Sequence, residues 1–290
     1  MTETPQQPDE LRQVSAKRKW ASLIMFVLAA LMIIVPFLFW RGTWFGRDLT
    51  EEETAQYLSD GDNPRHVQHA LVQIAQRIDR KDATVKQWYP EVVHLAGNSH
   101  EEIRVMTAWV LGADPQAQEF HEALLGLVRD SEPMVRRNAA LSLTRFGDAT
   151  GRGELLEMLQ PMTVKAPQDG TLKQRLKVGD GVDQWTLLAR ILTPAGETEV
   201  RATLPGTVDQ WLLPDGTMVE SGQEIFIVAP GEEHAWEALR ALLIVGQLED
   251  LQQIEQFLRG PGSAMSQRIQ QQGQMTIQEI RGRAEQAEQQ

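Results

Sequence analysis

The spacing of apolar positions changes three times along the chain. From Ala21 to Trp40 the residues are uncharged and almost wholly apolar. Between residues 48 and 160 apolar positions recur every three or four residues, as in Val67, Ala70, Leu71 and Ile74, which predicts helices with one buried face. From Val164 to Val228 they alternate between Gly-containing turns, which predicts strands and hairpins. The helical spacing returns at Ala235, Ala238, Leu239 and Leu242, and continues through Leu251, Ile254, Phe257 and Leu258. Past Gly260 glutamine dominates, so residues 261–290 are expected to be a tail that is disordered or that orders only on a partner.

The first apolar run matches the roughly 20 residues needed to cross a hydrocarbon core. Trp20 and Trp40 bracket it, and Trp44 follows, as interfacial aromatics do. Its exit, Phe39-Trp40-Arg41-Gly42, lacks the small-x-small pattern of a cleavage site, so an uncleaved anchor is expected. Pro36 would kink it or sit against a neighbouring helix. Lys17, Arg18 and Lys19 precede the run, whereas Arg41 and Arg47 are soon followed by Asp48 and Glu51-Glu52-Glu53. That contrast predicts a cytoplasmic tail over 1–19, a transmembrane helix over 20–41, and the bulk of the chain in the periplasm of a bacterium, anchored in its inner membrane.

Within the helical stretch one phrase recurs. Ile103-Arg104, Ala108-Trp109 and Leu111 are matched 32 residues later by Val135-Arg136, Ala140-Leu141 and Leu143, and the runs end at Ala113-Asp114 and Gly147-Asp148. A second apolar run follows each, Leu124 to Val128 and Leu155 to Leu159. Helix pairs of this kind stack because one pair alone cannot bury its apolar face. The cadence resembles the HEAT family of repeats, including the HEAT-like units named after phycobilisome lyases. That resemblance implies a solenoid over 48–160 that binds proteins, with residues 65–98 as a looser first unit and residues 232–260 as a closing one. It implies no lyase activity, because the scaffold is shared by proteins of many functions.

The β region says nearly the same thing twice. Val164-Lys165-Ala166-Pro167-Gln168-Asp169-Gly170-Thr171-Leu172 is echoed by Val200-Arg201-Ala202-Thr203-Leu204-Pro205-Gly206-Thr207-Val208, and each copy is followed by a second glycine turn, at Gly179 and at Gly216. Two such halves resemble the biotinyl/lipoyl domain, a flattened β-barrel sandwich also found in periplasmic adaptor proteins. The resemblance implies an inserted module over 162–231. In carriers of that family a lysine at the hairpin tip receives the prosthetic group; here the position reads Ala195, and no lysine follows Lys177. No covalent biotin or lipoate, and no other cofactor, is therefore expected.

Charge and composition narrow the chemistry. The net charge is −12, yet residues 1–47 carry six Arg or Lys against three Asp or Glu, leaving 22 basic and 37 acidic residues for the remainder. A surface that acidic repels phosphate backbones, so nucleic acid is not an expected partner. Cysteine is absent, which removes thiol catalysis and Cys-ligated metals. His66 and His69 are three apart on one predicted helix, but no third metal ligand stands at a diagnostic spacing. No residue is assigned a catalytic or metal-binding role. Glu51-Glu52-Glu53 and Glu232-Glu233 are read as helix starts, where the dipole favours carboxylates. Trp88, Trp109, Trp185, Trp211 and Trp236 are expected mostly in cores.

The combined expectation is an α+β multidomain chain: one transmembrane helix and an α-solenoid interrupted by a lipoyl-like β-barrel sandwich. Its expected role is that of a non-enzymatic, membrane-anchored scaffold or accessory subunit, whose partners are an integral membrane complex and the lipid bilayer. An adaptor of an export system is the alternative.

Overall fold

The computed structural model describes residues 25–37, 47–260 and 266–289, which fall into two units divided between Ala55 and Gln56. In the first, helix α1 (25–37) exposes nearly every side chain. Helix α2 (Glu51–Ser59) starts on a reciprocal cap: the Thr50 amide donates to the Glu53 carboxylate at 2.9 Å and the Glu53 amide to the Thr50 hydroxyl at 3.2 Å.

The structure corrects the expected membrane span. No helix among the described residues is long and apolar enough to cross a membrane. The transmembrane helix over 20–41 and the single-pass inner-membrane location drawn from it are overturned by that finding.

In the second unit α3 (Pro64–Asp79) opens on Pro64, whose fixed φ suits a first turn, and buries Val67, Ala70, Leu71 and Ile74. Then follow α4 (Tyr89–His94), α5 (Glu101–Leu111), α6 (Gln118–Leu127), α7 (Pro133–Leu143) and α8 (Arg152–Glu157). Helices α3, α5 and α7 stack in sequence, and α4 and α6 form a second layer beside them. The joint between α5 and α7 is close. The Ser142 hydroxyl donates to the Ala108 carbonyl at 2.7 Å, and a Cβ added at Gly112 would lie 2.5 Å from that hydroxyl oxygen.

The array does not end at α8. Helix α9 (Glu232–Val245) takes the next place against α7 and α8, followed by α10 (Leu251–Arg259) and α11 (Gln267–Glu288), which packs on α9 and α10. One core joins Ala140, Leu155, Met158 and Leu159 to Ala238, Leu239, Leu242, Ile254, Ile269 and Ile280. The Thr276 hydroxyl donates to the Leu239 carbonyl at 2.8 Å, repeating on α9 and α11 the bond that joins α5 to α7. The tail expected to be disordered is therefore helical and packed over Gln267–Glu288, with Ile269, Gly273, Thr276 and Ile280 buried. Those four residues keep helical spacing, a signal hidden by the glutamines between them.

Between α8 and α9 lie eight strands: β1 (Met162–Lys165), β2 (Gly170–Gln174), β3 (Gly181–Val182), β4 (Leu187–Thr193), β5 (Gly196–Arg201), β6 (Gly206–Trp211), β7 (Met218–Val219) and β8 (Glu224–Pro230). They form two four-stranded sheets, ordered β1-β8-β6-β3 and β5-β4-β2-β7. Advancing every strand of the first by four, cyclically, gives the second, so the sequence duplication is a structural one. The hydrogen bonds repeat as well. Gly179 and Val208 exchange bonds through Asp180 as Gly216 and Leu172 do through Thr217, all at 2.8–2.9 Å. Leu172, Leu188, Ile191, Val208, Ile225 and Phe226 fill the space between the sheets. Met162 is the register partner of Val228, so the chain leaves the helical array and returns to it at neighbouring points.

Candidate functional site

The helical repeats are clasped by a recurring polar device. Asp114, Asp148 and Asp250 follow α5, α7 and α9, and each reaches the helix before it. The Tyr89 hydroxyl donates to Asp114 at 2.8 Å, His121 Nε2 lies 2.7 Å from Asp148, and Arg152 Nε lies 3.5 Å from Asp250. A second device uses arginine. Arg104 Nε meets Asp130 at 2.8 Å while Nη1 donates to the Asn98 and Ser99 carbonyls, and Arg136 Nε meets Glu154 at 2.9 Å while Nη1 donates to the Asp130 and Ser131 carbonyls. The phrase spaced by 32 residues thus encodes a clasp as well as an apolar face.

The clasps set a pH limit. Burial would raise the Asp130 carboxyl, but the Arg104 guanidinium and the Glu132 amide outweigh it and hold the group below its ordinary range. At Asp148 burial is likewise outweighed, by the hydroxyl and amide of Thr150 and by His121. A depressed folded-state pKa contributes stability that is fully present above the ordinary carboxylate range, near pH 4, and is lost as pH falls through the depressed value. Denaturant midpoints measured from pH 7 downward are expected to fall below about pH 4, and Asp130→Asn to flatten that fall while lowering the plateau.

Two features lie where the β-module meets the array. The first is the turn between β3 and β4. Gln184 Nε2 donates to a Glu101 carboxylate oxygen at 3.4 Å, and the Glu101 carboxyl is held above its usual range by burial and by the carboxylates of Glu132 and Glu102. Trp185, the next residue, has φ +68° and is 51% exposed. The duplication shows what is unusual about it. Trp185 and Thr186 exchange bonds with Ala202 as Gly222 and Gln223 do with Ala166, so Trp185 stands where the other half has Gly222 at φ +81°. A bulky residue in the left-handed region is strained where glycine is not.

The second feature is a shallow recess with room for about one water molecule, lined by Arg137, Met158, Gln160, Met162, Leu204, Pro205, Val228 and His234 with the backbone of Ala229 to Gly231. Arg137 is only 8% exposed, and its Nε, 3.6 Å from Glu154, makes no hydrogen bond. Burial lowers the Arg137 pKa against the pull of Glu154 and Glu157, and burial, together with the Arg137 charge, lowers that of His234.

Of the residues singled out from the sequence, Trp20, Trp40, Trp44, Lys17, Arg18 and Lys19 lie outside the described residues, and Pro36 lies on α1. His66 and His69 do not converge. His66 pairs with Asp60 at 2.7 Å and stacks on Tyr57, while His69 is buried with Nε2 on Gln73. Among the described residues no group of three or more His, Cys, Asp or Glu is placed to hold a metal. Ala195 occupies the exposed tip of the β4–β5 hairpin. Trp88, Trp211 and Trp236 are half-buried, but Trp109 and Trp185 are not core residues, Trp109 being 45% exposed on α5. The strain at Trp185 was legible only by aligning the two halves, and Arg137 only by noting that it stands 32 residues after Val105, an uncharged position of the preceding repeat.

Residues 89–164 match the family model for HEAT repeats. The match covers about a quarter of the chain, from the start of α4 into β1. The matched segment spans helices α4 to α8, and their aspartate and arginine clasps lie within or beside it. No curated protein matches the chain.

Proposed function

We propose that this protein is a non-enzymatic interaction scaffold, an accessory subunit that holds partner proteins on a HEAT array and on the β-module set into it. Trp185 carries this reading. A tryptophan kept at a left-handed position, where the duplicate half uses glycine, costs stability, and about half of it stays open to solvent. As a rigid aromatic anchor for a partner it has a use. Trp109, exposed on α5 in the same face as Glu102, offers a second contact on the array.

The β-module is proposed to be lipoyl-like in form, supported by the interchange of its two sheets, and without biotin or lipoate, because its hairpin tip bears Ala195. The export-adaptor alternative gains no support: β4 and β5 are joined directly through Pro194 and Ala195, with no long hairpin between the halves.

Trp185→Gly separates binding from folding. The variant is expected to keep or raise the stability of the module, by up to about 1 kcal/mol from relief of the left-handed backbone, while reducing stoichiometric recovery of its partner on full-chain affinity purification about tenfold. The same partner in the same amount from the variant, or a lone monomer with measurable turnover of a small molecule, would overturn the scaffold reading.

A further inference from the structure

The β-module is joined to the helical array by two chain crossings, and the groups packed there include one that titrates near neutrality. One crossing runs from Gln160 to Met162 and the other from Pro230 to Glu232, side by side because Met162 is the register partner of Val228. Away from the crossings, Gln184 Nε2 ties the module to the Glu101 carboxylate through a long bond of 3.4 Å. Two parts joined in this way move against each other unless the contact between them is large and apolar. The seating of the module therefore depends on what is packed at the crossings.

The recess at the crossings has room for about one water molecule. Arg137 of α7 and His234 of the first turn of α9 line it together, with Met158 from the end of α8 and Met162, Leu204 and Val228 from the module. Arg137 is buried and ion-paired with Glu154 at 3.6 Å, and Glu157 also acts on it. His234 is half-buried. The charges that act on it are Arg137, Glu233 and Glu237 of its own helix, and Asp183 in the turn between β3 and β4 of the module. A neutral imidazole suits this place, whereas an imidazolium would have little water and would share the recess with a guanidinium. The three carboxylates do not offset that: burial, with the Arg137 charge added, holds the His234 pKa below the ordinary histidine value. We infer that His234 is a pH-sensitive latch: neutral, it lets the β-module seat against α7 and α9, and protonated, it frees the module to move about its two crossings.

In the released state the imidazole meets water and takes up its proton at the ordinary value of about 6.5, but in the seated state only at lower pH. The released state thus binds more protons between those two values. Seating is fully favoured above about pH 6.5, weakens below it, and has lost the contribution of His234 once pH passes the lowered value. That window lies above the region near pH 4 where the aspartate clasps fail, so the module is released from an array that is still folded.

The chain has no cysteine, so spin labels on introduced cysteines report only the chosen sites. The test places them in the full chain at Gln76→Cys on α3 and Ala195→Cys at the tip of the β4–β5 hairpin, both exposed, and measures their distance distribution by pulsed EPR. One narrow distance is expected at about pH 7.5, and loss of that narrow component to a broad distribution at about pH 5. His234→Asn, which takes up no proton, is expected to keep the narrow distance at both. That variant leaves Glu101 in place, so a response carried by the Gln184 bond would survive it. In the labelled chain without further change, the broadening is expected to follow the titration of the His234 imidazole measured by NMR, a comparison that needs no variant to fold. A distribution already broad at the higher pH, a narrow distance at both pH values, equal broadening in His234→Asn, or broadening that does not follow the imidazole overturns the inference.

Discussion

Truncation of Leu239 or Leu242 to Ala is expected to lower the unfolding free energy of the helical array by about 2–5 kcal/mol. Both side chains are fully buried on α9, in a core whose other walls are Leu155, Met158 and Leu159 from the far side of the β-module. The range reflects lost transfer free energy plus the cavity left behind, and the upper part applies where neighbours cannot collapse inward. Collapse is hindered here. Helix α9 is held to α11 by the Thr276 hydroxyl on the Leu239 carbonyl and by Arg283 Nη2 on the Gly246 carbonyl at 2.8 Å. Denaturant unfolding followed by far-UV circular dichroism measures the loss. A change of less than 1 kcal/mol in both variants would mean that α9 packs elsewhere.

Much of this architecture was legible because the sequence repeats itself. The match of Ile103-Arg104 to Val135-Arg136 marks two helices in equivalent places, and Arg104 and Arg136 make equivalent bonds. The two β phrases became two interchangeable sheets. Reading failed where composition overrode spacing. Glutamine content concealed the buried positions of α11, since helical burial needs only one apolar residue in three or four. At the other end of the chain an uncharged run of twenty residues predicts a membrane span, yet no helix among the described residues is long and apolar enough to be one. The site residues were the least legible. Strain at Trp185 depends on a backbone dihedral, and the burial of Arg137 beside Glu154 depends on three-dimensional neighbours. Neither is written in local spacing.

The largest effect is expected from removing α9, α10 and α11 together, which tests whether the array runs continuously across the inserted module. A chain ending at Pro230 keeps α3 to α8 and all eight strands but exposes Ala140, Leu155, Met158 and Leu159, and it strips Arg152 of both Glu249 and Asp250. At roughly 25 cal/mol per Å² of apolar surface returned to water, with a buried ion pair broken as well, the loss is expected to exceed that of either leucine truncation, at about 5 kcal/mol or more. Calorimetric unfolding of the truncated chain beside the full one decides the matter: a large drop in the midpoint of the remaining repeats is predicted, and an unchanged midpoint would show that α9 to α11 form a separate body and that the array ends at α8.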